Sequence, residues 1–147
     1  MPNTTYTRAD VVTEARTWIG TPFHHQGRVK GVGVDCIGLV IGVARTLGAV
    51  PPNFDVTGYP RVPDGVSLMA TARQYMTEIA RDNKKPGDVI VVSFDRDPQH
   101  FGILADYRHG GFSIIHGASN PGRVIETRLM FSEHMKFVAV FELPGVQ

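Results

Sequence analysis

Cys36 is the only cysteine of the chain, so no intramolecular disulfide can form, and an oxidising compartment is neither required nor excluded. Cys-x-x-Cys and His-x-x-x-His spacings are missing as well. Six histidines therefore come without the usual sequence signs of a zinc site, and neither a metal nor another cofactor is expected. There is no surplus of one charge: fifteen Lys and Arg stand against fourteen Asp and Glu. No long-range field then selects nucleic acid or an anionic membrane as partner. No apolar run is long enough to span a bilayer, and Met1-Pro2-Asn3-Thr4-Thr5-Tyr6-Thr7 lacks the basic start and apolar centre of a signal peptide. Membrane insertion is not expected, and work outside a cytoplasm would need delivery by something else. Repeats and low-complexity tracts are absent. What is present is an ordinary globular composition, 42% hydrophobic and 20% charged over 147 residues, which suits a single domain, 1–147, around one core.

Along the chain the hydrophobic period is helical first and strand-like later. Thr7-Arg8-Ala9-Asp10 has the form of a capping box, and Val11, Ala15 and Trp18 form an apolar stripe that predicts a helix from about Arg8 to Ile19, stopped by Gly20 and Pro22. Phe23 to Val34, with Gly27, Gly31 and Gly33, reads as loop. Asp35 is a good N-cap for a second, mostly apolar helix through Val40, Val43, Ala44 and Leu47, ended by Gly48 and Pro51-Pro52. The Pro-rich stretch from Ala49 to Val66 is a surface loop. Its aromatics Phe54 and Tyr59 either border a substrate cleft or simply pack the loop. Ser67 is placed as the cap of a third helix that frays out by Asn83. After the turn Lys85-Pro86-Gly87-Asp88, strands are expected at Val89–Phe94, His100–Ala105, Phe112–His116, Arg123–Thr127 and Phe137–Phe141. Helices followed by strands argue for an α+β domain, N-terminal helices packed on a C-terminal antiparallel β-sheet.

Cys36 opens the second helix. A thiol there meets the positive end of the helix dipole and unpaired N–H groups, both of which favour thiolate. A buried structural cysteine is the plainer reading, and the choice depends on a base and an orienting partner. His100 begins one predicted strand and His116 ends the next. An odd hairpin loop such as Arg108 to Gly110 sets Tyr107 opposite Gly111 and Gly102 opposite His116. Both imidazoles then share a face as diagonal neighbours, roughly 7–8 Å apart between backbones; an even loop separates them. Without the cysteine, His100 would read as a strand-edge histidine and His116 as a polar strand end. His24 and His25, in the glycine-rich loop, are either substrate contacts or solvated side chains, and His109 and His134 receive no role.

In order along the chain, Gly20-Thr21-Pro22-Phe23, Gly33-Val34-Asp35-Cys36-Ile37-Gly38-Leu39-Val40, Lys85-Pro86-Gly87-Asp88-Val89, His100-Phe101-Gly102-Ile103 and Ile115-His116-Gly117-Ala118 resemble the NlpC/P60 cysteine peptidases. The likeness runs from roughly Thr7 to Phe141 and is nearest the compact members found in phage tail modules and gene transfer agents. It implies a papain-like fold and hydrolysis of amide bonds in peptidoglycan stem peptides, typically between D-γ-glutamyl and the following diamino acid. It further implies Cys36 as nucleophile, His100 as general base and His116 as the residue orienting that base. Phe23, His25, Gln26 and Asp35 would contact substrate. Phe23 stands where many members have tyrosine, which keeps an aromatic wall and drops a hydroxyl. Another donor, such as Gln26 or a loop histidine, then replaces that hydroxyl, or turnover is slow. The expected setting is a virion tail or tail-like particle acting in the periplasm or cell wall, with tail proteins as partners, because the length leaves no room for a wall-binding module. A different Cys-His amidase or acyltransferase, and a tail-assembly protein that has lost catalysis, are the alternatives on the same scaffold.

Overall fold

The computed structural model describes residues 5–59, 66–95 and 100–147. Thr7 caps α1 (Arg8–Arg16) with a full capping box: its side chain accepts from the Asp10 N–H, and Asp10 accepts from the Thr7 N–H. Two orphan donors of the first turn are thus satisfied reciprocally. α1 is shorter than the expected span to Ile19, because residues 17–20 close as successive turns, with Trp18 N–H bonded to the Ala15 carbonyl and Thr21 N–H to that of Trp18. The glycine-rich segment expected to be loop contains a small antiparallel pair, β1 (Arg28–Val29) and β2 (Gly33–Val34). α2 (Cys36–Thr46) is the central helix, with Ile37 to Ala44 buried without a break.

α3 (Ser67–Tyr75) departs from expectation at both ends. Ser67 is its first residue rather than its cap, and the helix stops at Tyr75 instead of running toward Asn83. Thr77–Ile79 forms β3, paired with the C-terminal strand, and Arg81–Asn83 is a 3-10 turn. Thr77 and Ile79 are β-branched, and an open sheet edge gives their backbone the partners a frayed helix end would lack. The Pro-rich stretch is described as far as Tyr59 and again at Val66; Pro60, Pro63 and Gly65 lie outside the described residues.

The remaining strands are β4 (Val89–Phe94), β5 (His100–Asp106), β6 (Phe112–Ala118), β7 (Arg123–Arg128) and β8 (Met135–Glu142). They complete a six-stranded antiparallel sheet in the order β3-β8-β4-β5-β6-β7. Alternation divides the side chains between two faces. Val89, Val91, Phe101, Ile103, Ala105, Ile115 and Phe141 join the core formed with the helices. Ile90, Val92, Leu104, Ile114 and Val140 form a second cluster with Phe94, Phe112 and Phe137. A bulge between Val91 and Val92 adds one residue to β8 opposite them.

The turn that follows α1 packs on α2 through a notch at Gly42, where a Cβ would collide with the Trp18 ring. Gly42→Ala is therefore expected to destabilise the protein by about 1–3 kcal/mol through overpacking. Denaturant unfolding followed by Trp18 fluorescence measures it, and an unchanged midpoint would contradict the notch.

Candidate active site

Asp35 has the extended backbone of an N-cap, and its Oδ1 accepts the Gly38 N–H at 2.7 Å. The carboxylate is buried at 3% exposure, which would be costly for an unpaired charge. Four donors in all converge on it. Besides Gly38, Oδ1 takes Arg28 Nη1 at 3.2 Å, while Oδ2 takes the Gln26 N–H at 2.8 Å and the Tyr59 hydroxyl at 2.6 Å. Gln26 reaches this position through a left-handed backbone, φ +60°, and its side-chain Nε2 points to the Tyr59 carbonyl at 3.4 Å. His25 is half-buried alongside, its Nδ1 4.0 Å from Asp35 Oδ2 and its ring edge-on to Tyr59. The loop sits this tightly on α2 because Gly38 lacks a Cβ, which would collide with the Gly27 carbonyl.

Cys36 follows as the first helical residue and is half-buried. The Asp35–Cys36 peptide lies against Gly117 of β6: a Cβ there would stand 3.2 Å from the Asp35 carbonyl carbon and 3.4 Å from the Cys36 nitrogen. The N-terminus of α2 thus meets the sheet one residue from His116. Phe23 is anchored nearby, bridged to Val34 and donating its N–H to the Gly122 carbonyl at 2.8 Å, between β6 and β7.

The hairpin has the odd register. Asp106 stands opposite Phe112, Tyr107 N–H bonds the Gly111 carbonyl, and Ile103 faces Ile115. Continued by one step, this places Gly102 across from His116 and His100 on the same face. His100 Nε2 lies 2.6 Å from His116 Nδ1, with the rings edge-to-face at 80°. Both are buried, and the Phe94 ring packs beside them at 5.2 Å from His100 and 6.4 Å from His116. β5–β6 pairing stops at Ile103 and Ile115, so the histidines occupy the end where the two strands have parted. Burial pushes both imidazoles well below their ordinary value, and His116 adds to the effect on His100. The resting pair is neutral at pH 7. One nitrogen of the short contact must then donate while the other accepts. With His100 Nε2 as donor, His100 Nδ1 carries the free lone pair of a base.

The structure therefore gathers Asp35, Cys36, His25 and Gln26 at one helix end and joins His100 to His116. Sequence reasoning missed Arg28, whose five N–H groups are all used: Nε on Asp55, Nη1 on the Gly27 carbonyl and Asp35, Nη2 on the Val56 carbonyl and the Tyr59 hydroxyl. A lone arginine in a glycine-rich loop carries no sequence sign of this. Tyr59 had one, an aromatic retained in a proline-rich loop. Phe54 points elsewhere, against Tyr75 and into the wall of an apolar cavity between α2 and α3. His134 pairs with Asp95 at the surface. Among the described residues no group of three or more His, Cys, Asp or Glu is gathered as for a metal ion, and no helix is long and apolar enough to cross a membrane.

No protein-family model and no curated protein matches the chain. Solved structures do. The NlpC/P60 domain of the peptidoglycan hydrolase SagA is similar over 83% of this chain and 89% of its own, at 24% identity and TM-score 0.54. An NlpC/P60 family protein from Bacillus cereus matches over 95% of this chain and 41% of its own, at 16% identity and TM-score 0.65. An N-acetylmuramoyl-L-alanine amidase from Bacteroides uniformis matches over 93% and 98%, at 12% identity and TM-score 0.60. With its helices on one face of a six-stranded antiparallel sheet and its cysteine at the head of the central helix, the chain has the α+β fold of NlpC/P60 domains.

Proposed function

We propose that the protein is a cysteine hydrolase that cuts amide bonds in peptidoglycan stem peptides, at the bond between D-γ-glutamyl and the following diamino acid. The observation that carries this reading is the His100–His116 pair, held at 2.6 Å where β5 and β6 part, next to the helix end that begins with Cys36. Neutral His100 takes the thiol proton as the sulfur attacks the amide carbonyl. The imidazolium so formed is steadied by His116 and protonates the departing amine. Water, deprotonated by the same ring, then releases the acyl group from sulfur. The Cys36 backbone N–H, in the first turn of α2, is the oxyanion donor favoured by the helix dipole. Phe23, His25 and Gln26 line the approach from the glycine-rich loop, and no hydroxyl comes from Phe23.

The peptidoglycan hydrolase SagA and the muramoyl-alanine amidase among the structural neighbours support a cell-wall substrate, and the amidase is named for a bond other than the one proposed here. Incubation with defined stem peptides and with whole wall, read by mass spectrometry, is expected to release fragments beginning with the free amine of the diamino acid. Cys36→Ala should abolish their release. Fragments cut at muramoyl-alanine would reassign the bond, and release unaffected by Cys36→Ala would end the proposal. Placement in a phage or phage-like tail rests on the motif order shared with compact tail-module members. Probing purified particles with antibody to the protein tests it.

A further inference from the structure

The head of α2 poses an electrostatic conflict. Asp35 is needed there, because its carboxylate caps Gly38 and holds Gln26 and Tyr59. Its negative charge, one residue before Cys36, also opposes ionisation of the thiol that the proposed reaction needs. α2 has no other acidic residue in its first turn, so this carboxylate sets the local sign unless something cancels it.

Arg28 is built to cancel it. Its Nη1 sits 3.2 Å from Asp35 Oδ1 and 3.0 Å from where a Cβ of Gly38 would stand, inside the first turn of α2. The guanidinium side chain is 12% exposed, so water screens the pair little. Tyr59 locks the pair together: its hydroxyl accepts from Arg28 Nη2 at 2.7 Å and donates to Asp35 Oδ2 at 2.6 Å. Burial, with the Asp35 hydrogen bond, raises the Tyr59 phenol far above its ordinary value, so it stays a neutral bridge. The other carboxylate on Arg28, Asp55, has a second cation of its own in Arg45, 3.8 Å away. Among the described residues, the other titratable groups near the helix head are His25 from the loop and the neutral His100 and His116 from the sheet.

We propose that Arg28, bridged by Tyr59 to Asp35, is a positioning residue that keeps the Cys36 thiol acidic by cancelling the carboxylate charge at the head of the nucleophile helix. This rests on Cys36 being the nucleophile, but its test needs no substrate. Cys36 is the sole cysteine, so the pH dependence of its alkylation by iodoacetamide reads its ionisation directly. Arg28→Met, which keeps the aliphatic stem, is expected to raise the midpoint by about one pH unit or more and to slow alkylation at neutral pH about tenfold. Tyr59→Phe should move it the same way by less. Asp35→Asn should lower it, and Arg28→Met with Asp35→Asn should return it toward the parent value although more hydrogen bonds have been lost.

A purely structural role for Arg28 predicts the reverse for the double variant, a further departure from the parent, and that result would overturn the proposal. So would an unchanged midpoint in a folded Arg28→Met protein. If Arg28→Met does not fold, Asp35→Asn alone decides, since a midpoint that holds or rises contradicts charge cancellation. The hydrolase reading fails separately, through stem-peptide cleavage that survives Cys36→Ala.

Discussion

Replacing His100 by alanine is expected to lower kcat/KM on stem peptide about a thousandfold, the range for losing a positioned acid–base group, while leaving the fold intact. The ring is required twice in the proposed cycle, to accept the thiol proton and to give it to the amine. His116 acts through His100, so its variants should grade with what they offer His100 Nε2. His116→Asn keeps an acceptor oxygen within reach of that nitrogen and should lose about tenfold. His116→Ala offers nothing, frees His100 to take the wrong tautomer, and should lose about a hundredfold or more. Steady-state kinetics with one defined peptide measures the series. Equal losses for the two His116 variants would show that the 2.6 Å contact does not select the tautomer.

Acid should destabilise the protein through the same two rings. Both have an ordinary value of 6.5 and are lowered by burial in the folded chain. Below about pH 6.5 the unfolded chain therefore binds protons that the native state refuses, and by linkage stability falls. The contribution is fully present above 6.5 and is lost as pH drops toward the lowered native values. The slope approaches about 1.4 kcal/mol per pH unit for each histidine. Between pH 7.5 and pH 5 the loss should be about 2 kcal/mol for one ring and larger for the pair, readable as a falling denaturant midpoint. His116→Asn removes one titrating group and should flatten the dependence. A parent protein equally stable at the two pH values would mean that the rings are charged or solvated in the native state.

Local signals located the elements that depend on local physics. Thr7 with Asp10, and Asp35 ahead of an apolar run, marked where α1 and α2 begin, because a cap is satisfied within four residues of chain. Short runs rich in β-branched and aromatic residues, Val89–Phe94 and Phe112–His116, bounded by turn residues, marked strands for the same reason. The hairpin register was reduced to two choices, since the parity of a short loop decides which residues face each other, and the Tyr107 pairing with Gly111 in the structure selects the odd one. The stretch after Tyr75 was misjudged because its conformation is imposed from outside: Thr77–Ile79 is a strand only because β8 lies alongside.

By itself, then, the amino-acid order determined that helices precede an antiparallel sheet, that the sole thiol heads a helix, and that two histidines share a sheet face if the loop between their strands is odd. Each of these follows from capping, periodicity or parity over a few residues. Only the tertiary structure decided what surrounds that thiol. The Gly117 backbone meets the Asp35–Cys36 peptide across about eighty residues of chain, and Arg28, Asp35 and Tyr59 close into one buried network drawn from β1, a helix end and the Pro-rich loop, with Asp55 at its exposed edge. Such a network has no sequence period, because buried charges choose partners by proximity in space, and proximity exists only once the core has brought the loops together.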